Sequence, residues 1–548
     1  MTRPAPSFLR NPTLRTVACA ALLAGLALAA LMPVYGDEIG WRFQERAAID
    51  GVDKLFSDLC GPNTLAAPPW FMMPVRWYSA AFNTAFAGPA WVRASGVLYA
   101  LVLIALLAAI VRRAVPAGEA RARLTMLGAG LLALGVLPLL MVMSRPEQPI
   151  LLCTAAAILI ALAPRGEAAA RDWLSALGIA ALATIALSYH LKALFLFPVF
   201  ASGIYLSGTR KLPRLSAGAL LAAIGAAGAL YWMRRLQCPG DPVLHAFFSA
   251  HNVAVELTGM TSVGQIPGLL GKLLGNIRLL DYAALAAPAV EPMAGWLAPR
   301  QLGMDAQRLW RLALDLAWLC ALLAGIAAFA GGAVHAWRTR SLPPSLLLAG
   351  MLGVSVLGWA AMEYQRNVYE AGFVLPLLAL AVVLACASPR DSALGDRIAG
   401  ALARVVGVGA MVSVVLVAIT YGPSLTRALS ATGYVLPDQP HSVSLAGYPA
   451  ARRDILAAAR LCGIPAPERA RGLMIDDVTY PALMAARLPQ HQLGVTGLWR
   501  GTIRDPIAYL KSRQSDGIVV SCSKLPPDLR TRARSVGQFC CMGPATGW

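Results

Sequence analysis

The chain has 548 residues, of which 57% are hydrophobic and only 14% charged, against about 25% charged in an ordinary soluble protein. That balance excludes a soluble multidomain enzyme, a disordered chain and a disulfide-built mini-scaffold. The formal net charge of +19, from 47 Lys+Arg and 28 Asp+Glu, would point to nucleic acid in a soluble protein; in a membrane protein it belongs first in cytoplasmic loops, and no nucleic-acid partner is expected.

A membrane-crossing helix needs about 20 mostly apolar residues. Such runs predict about eleven spans, near 15–35, 94–113, 123–143, 150–163, 173–189, 194–207, 216–233, 311–333, 344–361, 371–388 and 398–420. Arg3, Arg10 and Arg15 precede the first run, as in a signal peptide. Its apolar stretch is long, however, and Pro33-Val34-Tyr35-Gly36-Asp37-Glu38 offers no small-x-small cleavage site, so it reads as a retained helix. With the N-terminus cytoplasmic, every short inside loop is basic: Arg112, Arg113, Arg121 and Arg123; Arg165 and Arg171; Arg210, Lys211 and Arg214; Arg338 and Arg340; Arg390, Arg397 and Arg404. The loops 36–93 and 234–310, the edges 144–149 and 189–193, and the tail from 421 then lie outside.

Loop 36–93 carries Trp41, Phe43, Trp70, Phe71, Trp77 and Tyr78, aromatic faces that suit the membrane interface or a sugar ring. In the second large loop, 266–280 has the pattern of a helix lying on the membrane surface. Cys19, Cys153, Cys320 and Cys386 fall in spans. The other six cysteines, Cys60, Cys238, Cys462, Cys522, Cys540 and Cys541, fall outside, as an oxidising compartment allows. A Cys60–Cys238 bridge and free thiols are both compatible with this pattern. No cysteine or histidine spacing resembles a zinc site.

From Gly422 the composition changes. Arg452–Leu461, Tyr480–Leu488, Pro506–Arg513 and Pro527–Ser535 read as helices, and Arg471–Asp477, Gly517–Ser521 and Gln538–Met542 as strands. The alternation predicts a small α/β domain, with fifteen Lys+Arg and eight Asp+Glu. Asp476-Asp477 reads as a turn with an Asx cap; the alternative is a ligand crevice at a strand's C-terminal end. The expected architecture is thus an α-helical polytopic bundle over 1–420 in the cell inner (plasma) membrane, with a small extracytoplasmic α/β domain over 421–548.

Ionisable residues at membrane depth are costly and point to function. Four clusters fall on the outer side of this topology. Asp37-Glu38 follows the first span and suits a base with a hydrogen-bond acceptor, or a solvated helix end. Arg145-Pro146-Glu147 closes the third span. His190-Leu191-Lys192 precedes Phe195, Phe197 and Pro198, where Lys192 could hold a phosphate or snorkel to the interface. Glu363-Tyr364-Gln365-Arg366 and Tyr369-Glu370 precede the tenth span; Arg366 could hold an anion or pair with Glu363 or Glu370. Acidic and basic groups gathered on one rim suit an anionic lipid substrate meeting a hydroxyl nucleophile.

At these residues the chain resembles the GT-C superfamily of integral-membrane glycosyltransferases. Members include protein mannosyltransferases, lipid A aminoarabinose transferases and mycobacterial arabinosyltransferases. The family's acidic motif after the first helix is similar to Asp37-Glu38, and its second acidic site to Arg145-Pro146-Glu147. Its basic segment at the fifth helix looks like Lys192 through Pro198, with His190-Leu191-Lys192-Ala193 where Lys-Gly is usual. Its late Arg before Leu-Pro is similar to Arg366 and Leu375-Pro376. The resemblance implies transfer from a polyprenyl-phosphate-sugar donor to a glycan, lipid or protein acceptor, with inversion and without a required metal or other cofactor. It implies Asp37 as general base, Glu38 or Glu147 positioning sugar or acceptor, and Arg145, His190, Lys192 and Arg366, with Tyr364, holding the lipid phosphate and sugar.

The main rival is a transporter or flippase of a lipid-linked sugar. Paired broken helices and internal repeats mark transporters, and neither shows in the hydropathy pattern; the polar residues sit at one face, with Asp315 in the eighth span near its outer end. A scaffold presenting the C-terminal domain would not account for four polar clusters on one rim.

Overall fold

The computed structural model describes residues 12–40, 42, 88–135, 137–164, 168–237, 246, 267, 304–362, 371–389, 393–430, 433–436, 439–498 and 503–546. The loop aromatics named above, the 266–280 helix, Cys60, Cys238 and the whole Glu363–Glu370 cluster, with Tyr364 and Arg366, lie outside the described residues.

The chain is mostly helical, with a small sheet at its C-terminal end. The bundle comprises α1 (Pro12–Ala30), α2 (Pro89–Ala114), α3 (Glu119–Leu132), α4 (Leu137–Val142), α5 (Glu147–Ala161), α6 (Ala169–Tyr189), a 3-10 segment (Leu191–Leu196), α7 (Phe197–Leu206), α8 (Lys211–Gln237), α9 (Met304–Thr339), α10 (Pro344–Met362), α11 (Ala371–Ala387) and α12 (Ala393–Ser430). Four stretches are long and apolar enough to cross a membrane: Pro89–Ala114, Ala169–Tyr189, Lys211–Leu230 and Leu312–Thr339. Shorter apolar helices, among them Glu147–Ala161 and Pro344–Ala360, stand with them. Leu98, Leu174, Leu215, Leu323 and Leu357 face outward, an apolar surface larger than water tolerates on a soluble monomer and one that fits a membrane protein. Trp318, Trp359, Phe200 and Phe373 fill the interior.

The third predicted span is not continuous. It breaks between α3 and α4, where Gly135 takes a left-handed φ of 58° and donates its N–H to Ser413 Oγ at 2.5 Å. Pro138 explains the break: with no N–H, it leaves the Leu134 carbonyl without the usual helical donor. The sixth predicted span is likewise divided, a 3-10 turn leading into α7, where Pro198 occupies a first-turn position that needs no N–H. Helices α2 and α4 meet at Gly96, where an added β-carbon would run into the Val142 carbonyl.

α12 runs through residue 421, the expected start of the tail, to Ser430. Beyond it come β2 (Val435–Leu436), β3 (Gln439–Val443), α13 (Tyr448–Leu461), β4 (Met474–Ile475), α14 (Tyr480–Leu483), β5 (Gln490–His491), α15 (Pro506–Ser512), β6 (Ile518–Ser521), α16 (Pro527–Arg530), β7 (Arg534–Val536) and β8 (Phe539–Met542). The larger sheet has the order β5-β4-β6-β8-β7, with β5, β4 and β6 parallel and the rest antiparallel. α13 buries Ala451, Ile455, Ala458 and Ala459 along one face, the spacing of an amphipathic helix. Disulfides Cys462–Cys541 and Cys522–Cys540 tie this helix and the end of β6 to β8, whereas Cys19, Cys153, Cys320 and Cys386 are free thiols.

Two tail helices are shorter than expected. The helix at Tyr480 stops at Leu483, because Arg487 bridges to Arg471 and Leu488 turns with a φ of 47° to feed β5. The helix at Pro527 stops at Arg530, and Arg534–Val536 forms a hairpin with β8 through Gly537, whose φ of 57° suits a two-residue turn.

The tail is welded to the bundle. Residues Val34–Tyr35, just after α1, form β1 and pair antiparallel with β3, Val34 opposite Val443 and Tyr35 opposite Ser442. Val34, Ile39 and Val92 share one buried cluster with Ile455, Leu473 and Phe539. Gly96→Ala should lower the thermal midpoint of the detergent-solubilised chain by several degrees, the consequence of a ~1–3 kcal/mol overpacking cost; a scanning-fluorimetry melt identical to wild type would contradict the close α2–α4 crossing.

Candidate active site at one end of the bundle

Residues 36–40 are helical and follow β1, and this turn sends Asp37 and Glu38 in different directions. Glu38 points inward and is fully buried. Its Oε1 accepts Arg93 Nη2 at 2.7 Å and the Tyr35 N–H at 2.9 Å, and its Oε2 accepts the Ser144 N–H at 2.8 Å. Arg93 also donates to the carbonyls of Pro33 at 2.7 Å and Val142 at 3.2 Å. Beside this pair, Arg42 Nη2 donates to Ser95 Oγ at 2.7 Å and Ser144 Oγ at 2.8 Å. Glu38, read from sequence as a site residue, is buried here as an internal anchor, with both of its oxygens engaged by protein donors.

Asp37 points the other way and is 43% exposed. Its Oδ2 pairs with Arg145 Nη1 at 3.2 Å. Arg145 Nε pairs with Glu147 Oε2, also at 3.2 Å, and Glu147 Oε1 accepts Lys192 Nζ at 3.0 Å. Residues from three separate stretches thus form one row of alternating charge, Asp37, Arg145, Glu147 and Lys192, buried at the Glu147–Lys192 end and open at Asp37. Local sequence explains the placement. Pro146 caps α5 and sets Glu147 in its first turn, where the helix dipole favours a carboxylate. α6 ends at His190 in an extended conformation, and the His190 Nδ1 accepts the Lys192 N–H at 3.1 Å. His190 therefore caps the 3-10 turn that carries Lys192 inward.

The C-terminal domain supplies residues that sequence reasoning did not place here. Asp477 lies against Gly40, where a β-carbon would stand 3.2 Å from its Oδ1, and the same oxygen bonds His491 Nε2 at 2.7 Å. The Leu493 N–H donates to His491 Nδ1 at 3.1 Å, so the neutral ring carries its proton on Nε2 and gives it to Asp477. Burial alone would pull the imidazole pKa down, but Asp477, reinforced by Asp476 and Asp37, raises it above the ordinary 6.5. The adjacent Asp476 is different. It is buried and accepts the N–H groups of Thr479 and Ser521, both at 2.9 Å, which is the capped turn expected of it; burial raises its pKa in spite of those bonds. Lys524 stands near both acids, and burial lowers its pKa against their opposing pull. Tyr480 Oη donates to the Arg42 carbonyl at 2.9 Å, fixing this edge of the domain beside the bundle.

Among the described residues no three His, Cys, Asp or Glu side chains are grouped as a metal site. Chemically, the arrangement offers one accessible carboxylate backed by a guanidinium, an ammonium behind it, and an Asp–His pair alongside. No family model matches the chain, and no curated protein is similar to it.

Two outcomes separate the anchor from the open acid. Glu38→Gln should destabilise the protein by about 3–5 kcal/mol, because it leaves Arg93 buried without its counter-charge, whereas Asp37→Asn should melt within a few degrees of wild type. The Asp477–His491 pair should also be visible in a pH series. A folded-state pKa above the unfolded 6.5 gives stabilisation that is complete below that value and fades as pH rises through the folded value. The difference in thermal midpoint between wild type and His491→Gln should therefore be largest in mild acid and shrink in alkali; a difference independent of pH would contradict the pairing.

Proposed function

We propose that the chain is an integral-membrane glycosyltransferase that moves a sugar from a polyprenyl-phosphate-linked donor to an acceptor hydroxyl on the extracytoplasmic face, with inversion. The observation that carries this reading is the row Asp37–Arg145–Glu147–Lys192: a single exposed carboxylate at the open end of a buried, charge-alternating cluster, at one end of a bundle of apolar helices. The basic short loops support a cytoplasmic N-terminus and about eleven spans. The two disulfides of the tail support an oxidising, extracytoplasmic side for this end of the protein, in the cell inner membrane.

In this scheme the acceptor oxygen attacks the anomeric carbon as its bond to the lipid phosphate breaks, and Asp37 takes the acceptor proton. Protonation removes the negative charge that Arg145 was balancing. Arg145 then carries surplus positive charge at the moment the phosphate oxygen gains negative charge, a preorganised stabilisation of the leaving group. Glu147 stays bound between Arg145 and Lys192 and holds both cations in place behind Asp37. Arg366 and Tyr364 remain proposed donors to the phosphate and sugar on the strength of the resemblance. The scheme requires no metal. The acceptor, a glycan, lipid or protein, would approach beside Asp477 and His491.

One observation favours the transporter reading: the break between α3 and α4, since discontinuous helices are common at transport sites. Its free amide, however, is already capped by Ser413, and the ionisable groups sit elsewhere. The test is transfer by the reconstituted full-length chain from polyprenyl-phosphate sugars, read by mass spectrometry of the products. Asp37→Asn should cut the rate about 10²–10⁴-fold, the usual worth of a general base. Near-native transfer by that variant sinks the base assignment; sugar-lipid crossing of sealed vesicles without any transfer product would favour the flippase.

A further inference from the structure

A second feature lies away from the row of charges. A cavity of about 640 Å³ opens between α7 and α8, within the ~300–1,000 Å³ range of small-molecule sites. Phe197, Ile204, Leu215 and Leu221 make its walls apolar, while Tyr205, Lys211 and Arg214 line one end. The Arg214 guanidinium lies over the Tyr205 ring, 5.3 Å from its centre. Its Nε is buried and has no hydrogen-bond partner among the described residues. α7 leads away from Lys192 for 10 residues, about 15 Å at helical rise. The cationic end therefore lies at the opposite end of the helix from the Glu147–Lys192 pair.

We propose that this groove binds an anionic glycerophospholipid, its phosphate on Arg214 and Lys211 and an acyl chain along the Phe197–Leu221 wall. The inference does not rest on the glycosyltransferase reading. A guanidinium N–H in an apolar setting needs an acceptor, and a phosphate oxygen supplies one in the geometry that arginine favours. Free phosphate would leave the apolar wall unused. A neutral lipid would leave the cations without a counter-charge. Tyr205 and Leu215 are largely exposed, so the groove opens sideways, toward the space that lipid tails occupy around a membrane bundle. Arg210, Lys211 and Arg214 also form one of the basic loops assigned to the cytoplasmic side, where the leaflet is anionic.

The test is native mass spectrometry of the full chain in detergent, titrated with phosphatidylglycerol and with phosphatidylcholine of the same acyl composition. Wild type should retain phosphatidylglycerol preferentially. Lys211→Gln and Arg214→Gln should each weaken that binding about fivefold, as expected for one basic group near an anionic headgroup, and the double variant should show no preference. Excess inorganic phosphate should not displace the lipid. Equal retention of the two lipids by wild type, unchanged phosphatidylglycerol binding in the double variant, or displacement by inorganic phosphate would each overturn the proposal. Lys211 is exposed, so its single variant tests the site without disturbing the core.

Discussion

The constraint on which the site depends is that a carboxylate fully removed from water must be surrounded by donors or not be ionised at all. Glu38 meets it with three, from three stretches of chain: Arg93 at the start of α2, the Tyr35 N–H in its own turn, and the Ser144 N–H in the connection between α4 and α5. Arg93 extends the tie to the Pro33 and Val142 carbonyls. The exits of α1 and α4 and the entry of α2 are thereby held at one point. Asp37 is the next residue along the chain, so its direction follows from that anchor. With Glu38 committed to the interior, the helical turn leaves Asp37 toward the open side and Arg145.

The second row of charges obeys the same rule in a different way. Lys192 is a buried cation and Arg145 a partly buried one, and each is balanced by Glu147, while Arg145 has a second partner in Asp37. Alternation keeps the row neutral in a low-dielectric setting. It also makes the row responsive, because a change of charge at Asp37 alters the balance at Arg145 directly. Asp37 is the member that can change, since it alone of the four is substantially exposed.

Much of this was legible in sequence, for a physical reason. Lipid admits few ionisable side chains, so Asp37, Arg145, Glu147 and Lys192 stood out against long apolar runs, and the structure brings them together. What hydropathy could not show was which of two adjacent acids faces inward, because that depends on Arg93, which lies 55 residues further along the chain. The α3–α4 break was hidden by an unbroken apolar run, although Gly135 and Pro138 carried the signal. Strands of two residues, Val34–Tyr35 and Gln490–His491, are too short for any periodicity to reveal. The approach of His491 to Asp37 spans more than four hundred residues, and spacing along a chain says nothing about contacts at that range.

The C-terminal domain changes meaning once its seam is considered. A tethered domain would bury its own core and touch the bundle through polar surface. Here Val34, Ile39 and Val92 lie inside the domain's own apolar cluster, β1 supplies a strand to its smaller sheet, and Tyr480 bonds the Arg42 carbonyl. Separating the two would expose that shared core and unpair a strand. The domain is therefore one wall of the site, and the surroundings of Asp37 are set jointly by Arg145 from the bundle and by the Asp477–His491 edge from the tail. Under the proposed reaction, a substrate reaching the open carboxylate would meet a cation on one side and a titratable pair on the other, with the tail placed to select the acceptor and the helices holding the charge balance.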